Sequence, residues 1–138
     1  MGTVIDVLQL QEHSNLFRLI IYTNEKCIKK AKIESINKRL AEELKKVKPM
    51  QRTFYLEKCF NSILETLPKD VILKDLDVMF NPAYKVDIIR TLVESYKRHP
   101  FGVIWPGTFD GSRLIYSSPE LPDYKVYEIQ DYDILCVM

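Results

Sequence analysis

Val71-Ile72-Leu73-Lys74-Asp75-Leu76-Asp77-Val78-Met79-Phe80 decides how the rest of the chain is read. Three consecutive apolar residues, two of them β-branched, fit a strand buried on both faces. The run then meets Asp75 and Asp77. At the carboxyl end of such a strand, where open α/β sheets bind ligands, a carboxylate can orient a magnesium-bound water. Asp75 and Asp77 are therefore the candidate catalytic and metal-ligating residues. Acids also follow buried strands simply as turn or helix-capping residues, and that alternative stays open. A two-metal site would need further acids and a Gly-Ser turn upstream, and no such turn precedes this pair.

Working outward, Leu16–Thr23 reads as another buried strand, ending at Asn24-Glu25. Ile28, Ala31, Ile36, Leu40, Leu44 and Val47 then follow roughly helical spacing up to Pro49, with a potential break at Lys32-Ile33. Leu56, Cys59, Phe60, Ile63, Leu64 and Leu67 form a clean helical stripe closed by Pro68. Asn81-Pro82 is expected to open a helix carrying Val86, Ile89, Leu92, Val93 and Tyr96 on one face. Phe101–Trp105 reads as a strand. Gly107 and Asp110-Gly111 supply turn chemistry for a hairpin returning through Arg113–Tyr116. Lys125–Ile129 and Ile134–Met138 close the chain as strands. The expected fold is α/β, a small three-layer sheet with flanking helices and a C-terminal hairpin and strand region, as one domain over residues 1–138.

A phosphate cradle of the P-loop kind needs Gly-x-x-x-x-Gly-Lys-Ser/Thr directly after the first strand, so that backbone amides surround the phosphates. Here that position reads Thr23-Asn24-Glu25-Lys26-Cys27-Ile28-Lys29-Lys30, and no glycine occurs between Gly2 and Gly102. Bulky residues do not adopt the φ > 0 positions such a loop requires. Lys29 or Lys30 could imitate the lysine, but the cradle is absent. The sequence thus argues against an enzyme and for no cofactor. Magnesium and ATP enter only under an alternative reading, a small phosphoryl-transfer enzyme using Asp75 and Asp77.

The remaining catalytic sets are poorer. His13 and His99 are far apart and, with scattered Cys27, Cys59 and Cys136, make no zinc pattern. Ser112, Ser117 and Ser118 lie in no nucleophile elbow. Cys27, beside lysines, reads first as a half-buried helix cysteine. Three isolated cysteines suggest reduced thiols in a cytoplasm. No apolar run approaches the ~18 residues of a membrane span, and no secretory signal is expected.

Charge is uneven although 20 Lys+Arg nearly balance 19 Asp+Glu. Residues 25–48 hold nine bases and four acids, a local +5, whereas residues 109–138 hold six acids and two bases, a local −4. One reading is a solvated helix face and an acidic tail. The other is a pair of complementary surfaces, for self-association or a larger complex, with Lys26, Lys29, Lys30, Lys32, Lys38 and Arg39 facing a partner or DNA. No aromatics interleave with these lysines, which argues against a base-stacking surface.

Trp105-Pro106-Gly107, Asp110-Gly111, Arg113-Leu114, Tyr116, Pro119, Pro122-Asp123-Tyr124 and the closing apolar strand resemble the tail of BrxF, the small P-loop protein of type 3 BREX (bacteriophage exclusion) systems. Asp75 through Pro82 and the following helix resemble that family's Walker B strand and the step after it. The similarity spans roughly Val71 to Met138; the family's Gly-rich loop is missing, and Leu121 stands where the family often has His. The resemblance implies a degenerate P-loop-like domain acting as a non-catalytic subunit of an anti-phage system. Its implied partners are other defence proteins, an ATPase or a DNA-modifying subunit, alongside a second copy or DNA. Trp105, Gly107, Tyr116 and Tyr124 would then serve as a docking surface, or pack the hairpin against the sheet.

Overall fold

The computed structural model of the protein describes residues 1–12, 18–28 and 30–138. Its strands are β1 (Thr3–Ile5), β2 (Leu19–Tyr22), β3 (Ile33–Ser35), β4 (Val71–Lys74), β5 (Phe101–Ile104), β6 (Thr108–Phe109), β7 (Arg113–Tyr116), β8 (Lys125–Glu128) and β9 (Ile134–Val137). The helices are α1 (Val7–Glu12), α2 (Asn37–Lys45), α3 (Arg52–Leu64) and α4 (Ile88–Arg98). Six strands form one parallel sheet in the order β1-β9-β2-β5-β4-β3. β6, β7 and β8 form a separate antiparallel sheet.

The sequence dictates this arrangement through uninterrupted apolar runs. All four residues of β9 are buried, as are Val71, Ile72 and Leu73 of β4, because parallel strands carry side chains into two layers. On one face, Leu19, Ile21, Val71, Leu73 and Val103 pack with the apolar sides of α2, α3 and α4. On the other, Ile5, Tyr22, Cys27, Ile72, Leu135 and Val137 form a smaller cluster, backed by Val7 and Leu10 of α1 and by Ile28. The connections running toward β3 and those running away from it therefore use opposite faces, as right-handed crossovers require. Among the described residues the second layer is thin, made of the six-residue α1 and the segment that follows β2.

Three expectations are corrected. The periodicity over residues 28–47 does not make one helix: Ile33–Ser35 is a strand paired with β4, and α2 begins at Asn37. Ile28 packs on the small cluster, while Ile36, Leu40 and Leu44 belong to the large one, so the spacing joined residues from opposite faces. Asn81-Pro82 does not open the helix. The Asn81 carboxamide accepts from the Ala83 amide at 2.9 Å, closing a local turn, and the cap of α4 is Asp87, whose carboxylate accepts from Arg90 N at 3.0 Å. Cys27 is fully buried in a single 3₁₀ turn, Glu25–Cys27, and not half-buried on a helix. His13 and the start of the expected Leu16–Thr23 strand lie outside the described residues, as does Lys29.

Candidate functional site

All six strands of the large sheet point the same way, so Thr23, Ser35, Asp75 and Trp105 gather at one edge. Elements leave β2 and β5 on opposite faces, which makes the carboxyl ends of those neighbours the place where an open α/β sheet forms its crevice. Two features fill that edge.

The first is the exit from β2. Thr23 donates through both its amide (2.9 Å) and its hydroxyl (3.0 Å) to the carbonyl of Val137. The Lys26 amide donates to Asn24 Oδ1 at 2.8 Å, that of Cys27 to Asn24 O at 3.2 Å, and that of Ile28 to Glu25 O at 3.1 Å. These amides are satisfied within the turn. A phosphate held here would have to displace them, and the turn adds the Glu25 carboxylate beside it. Among the described residues, the next element after this 3₁₀ turn is β3 and not an α-helix.

The second is an aromatic cluster. Trp105, directly after β5, meets Phe80 edge-on at 5.6 Å and Tyr127 at 6.1 Å. Phe80 stacks on Tyr116 at 3.9 Å. The Trp105 indole N–H donates to Ile115 O at 3.0 Å, and a Cβ on Gly107 would lie 1.9 Å from that same oxygen. Trp105, Gly107 and Tyr116 thus seat the small sheet on the large one, while Tyr124 is half-buried in the turn before β8. Three phenols complete the attachment. Tyr116 donates to Asp77 Oδ1 at 2.8 Å, Tyr132 donates to Asp87 Oδ2 at 2.7 Å, and the Tyr127 oxygen accepts from Ile88 N at 3.3 Å. Burial first, then the neighbouring carboxylate, pushes the Tyr116 and Tyr132 phenols well above their ordinary value. Burial and the Asp87 charge push Tyr127 up to about 12.

The two candidate carboxylates have different partners. Asp75, in the left-handed region at φ 58°, accepts from Ser35 Oγ at 2.5 Å, at the end of β3. Asp77 is tied to Tyr116 of the small sheet. Among the described residues no three His, Cys, Asp or Glu side chains gather to hold a metal ion.

Compared with known proteins, the chain matches no family model, no curated protein and no solved structure.

The basic residues are divided. Lys26, Lys30 and Lys32 lie on the crossover from β2 to β3, Lys32 within 3.6 Å of Glu34. Lys38 and Arg39 lie on α2, which packs on the other face; Arg39 donates to Thr66 Oγ1 at 2.8 Å. The thiols of Cys27, Cys59 and Cys136 are all free and buried, and burial pushes Cys136 up to about 12. His99 lies at the opposite, amino edge, with Nε2 3.1 Å from Leu67 O. Sequence reading did not find the groove of ≈ 480 Å³ between α2 and the segment after β4, lined by Asn37, Leu44, Lys45, Arg52, Asp77 and Tyr84. Its walls come from three separate stretches, and no local motif marks them.

Proposed function

We propose that this chain is a non-catalytic, partner-binding subunit of a bacterial anti-phage defence system of the BREX kind, working in the cytoplasm on a P-loop-like sheet that has lost its phosphate site. The observation that carries the reading is the β2 exit, where the amides of Thr23, Lys26, Cys27 and Ile28 are already bonded. The P-loop-like part is supported by the parallel sheet, in which the first buried strand, β2, and the acid-bearing β4 flank β5 with their carboxyl ends on one edge. The defence role rests on the resemblance of residues 71–138 to BrxF. Its partners are then a larger ATPase or a DNA-modifying subunit of the same system.

Titration calorimetry with ATP and GTP, with and without magnesium, tests the first part. No heat at millimolar nucleotide is expected; magnesium-dependent binding abolished by Asp75→Ala would overturn it. The second part is tested by phage plating on a strain carrying the complete defence system. Deleting this chain is expected to abolish protection and Asp75→Ala to leave it intact. Unchanged protection after deletion removes the defence assignment.

A further inference from the structure

The groove between α2 and the segment after β4 has walls of one chemical character. One wall is a face of α2 from Asn37 to Lys45, the other is the chain leaving β4 between Asp77 and Tyr84, and Arg52 adds the start of α3. Asn37 comes two residues after β3 and Asp77 three after β4, so the groove lies beside the carboxyl ends of those strands. Open α/β sheets take up ligands on that side. Its volume of ≈ 480 Å³ falls within the range of about 300–1,000 Å³ typical of small-molecule sites.

What the polar side chains still offer is almost entirely hydrogen-bond donor. Asn37 Oδ1 already accepts from Val78 N at 2.7 Å, and Asn81 Oδ1 from Ala83 N at 2.9 Å, so each carboxamide has its N–H groups left to present. Arg52 Nε donates to Val47 O at 3.1 Å, which leaves the terminal guanidinium nitrogens. Neither Arg52 nor Lys45 forms an ion pair among the described residues. Tyr84 is only 7% exposed, yet its hydroxyl has no hydrogen-bond partner among the described residues and is not sealed from solvent. A phenol buried to this degree usually finds a partner. Asp77 is the exception to the donor character, and its Oδ1 receives the Tyr116 hydroxyl at 2.8 Å. Ala41, Leu44, Val78 and Pro82 supply the apolar part of the walls.

We propose that this groove binds a small organic monocarboxylate with an apolar body. The excess of donors calls for a ligand rich in acceptors, and the Tyr84 hydroxyl is left for it to satisfy. Two cations against the single Asp77 carboxylate leave one positive charge, which a monoanion balances. Asp77 stands against a phosphate dianion or a nucleotide tail, because each added negative charge meets a like charge in the same groove. The proposal needs no metal and stands independently of the defence role.

NMR titration of the intact, isotope-labelled protein without added metal tests it, with benzoate, phenylacetate and hexanoate as probes. At least one is expected to saturate with a Kd of about 1 mM and to shift the side-chain amides of Asn37 and Asn81. The matching neutral amides, and phenyl phosphate, are expected to bind about tenfold more weakly. Lys45→Gln, at an exposed position, is expected to weaken the carboxylate about tenfold, and Tyr84→Phe about fivefold. Asp77→Asn, whose carboxamide oxygen can still accept from Tyr116, is expected to strengthen it and to admit phenyl phosphate. Circular dichroism checks that each variant folds. The proposal is overturned if none of the three carboxylates saturates, or if the shifts fall outside the groove. It is equally overturned if the amides or phenyl phosphate bind the parent as tightly, or if Lys45→Gln leaves the affinity unchanged.

Discussion

Tyr116 and Asp77 are 39 positions apart in the chain, yet the phenol donates to the carboxylate at 2.8 Å and joins the small sheet to the segment leaving β4. The contact ties one candidate carboxylate to a structural partner. Its ring is stacked on Phe80, so hydrogen bond and stack fix the same side chain.

Tyr116→Phe keeps the stack and removes the donor. Because Asp77 remains open to water, the expected loss is modest, about 1 kcal/mol. A urea midpoint that falls with an unchanged slope would agree, whereas an unmoved midpoint would show that this bond contributes nothing net.

Alkaline pH acts on the same attachment. The phenols of Tyr116 and Tyr132 are raised above their ordinary value, and that of Tyr127 to about 12. A group with a raised folded value lends stability that is complete below its unfolded value and fades as pH climbs to the folded one. Stability is therefore expected to decline from about pH 10 upward. Phenolate absorbance followed against pH, together with unfolding, checks this. Ionisation of Tyr116, Tyr127 and Tyr132 near pH 10 in the folded protein, read as the difference between each Tyr→Phe variant and the parent, would contradict it.

Much of the fold is legible because it is written in uninterrupted apolar runs. Leu19–Tyr22, Val71–Lys74, Phe101–Ile104 and Ile134–Val137 all fall where buried strands are expected. Thr3–Ile5 and Ile33–Ser35 are not visible in the sequence. Each has three residues and sits at a sheet edge, too short to display a period. The register of Ile33 opposite Ile72 depends on a partner 39 positions on, and α4 opens at Asp87 because Asn81 spends its side chain on a local turn. The lack of glycines between Gly2 and Gly102 is readable directly. How the β2 exit is bonded, with amides held by Val137, Asn24 and Glu25 and an aromatic cluster at the same edge, depends on tertiary contacts that no local pattern encodes.

Gly107→Ala is expected to be severe. The added Cβ would fall 1.9 Å from Ile115 O, a backbone atom that also receives the Trp105 indole. Relief requires moving β7, so a loss of about 3 kcal/mol or more is expected, with thermal unfolding as the measure. A variant within experimental error of the parent would mean that the hairpin is not seated on this contact.

Asp110 offers a test at acid pH. Its carboxylate accepts from the amides of Ser112 (3.0 Å) and Arg113 (2.8 Å), and those backbone bonds lead the causes that lower it to about 2. The stability it lends is present above the ordinary carboxylate range and disappears as pH falls toward about 2. Carboxyl chemical shifts followed by NMR should place its midpoint there; one near 4 would mean that the turn after β6 is open in solution.

The interior position of β9 has a consequence for biosynthesis. Among the described residues β1 pairs with β9 alone, and the bond from Thr23 at the end of β2 to Val137 spans 114 positions. At ribosomal speeds of about 5–20 residues per second, roughly 6–23 s separate the making of these two ends. During that interval β1 and one edge of β2 are nascent chain without a mate, which makes them the natural targets of a chaperone that grips short apolar stretches.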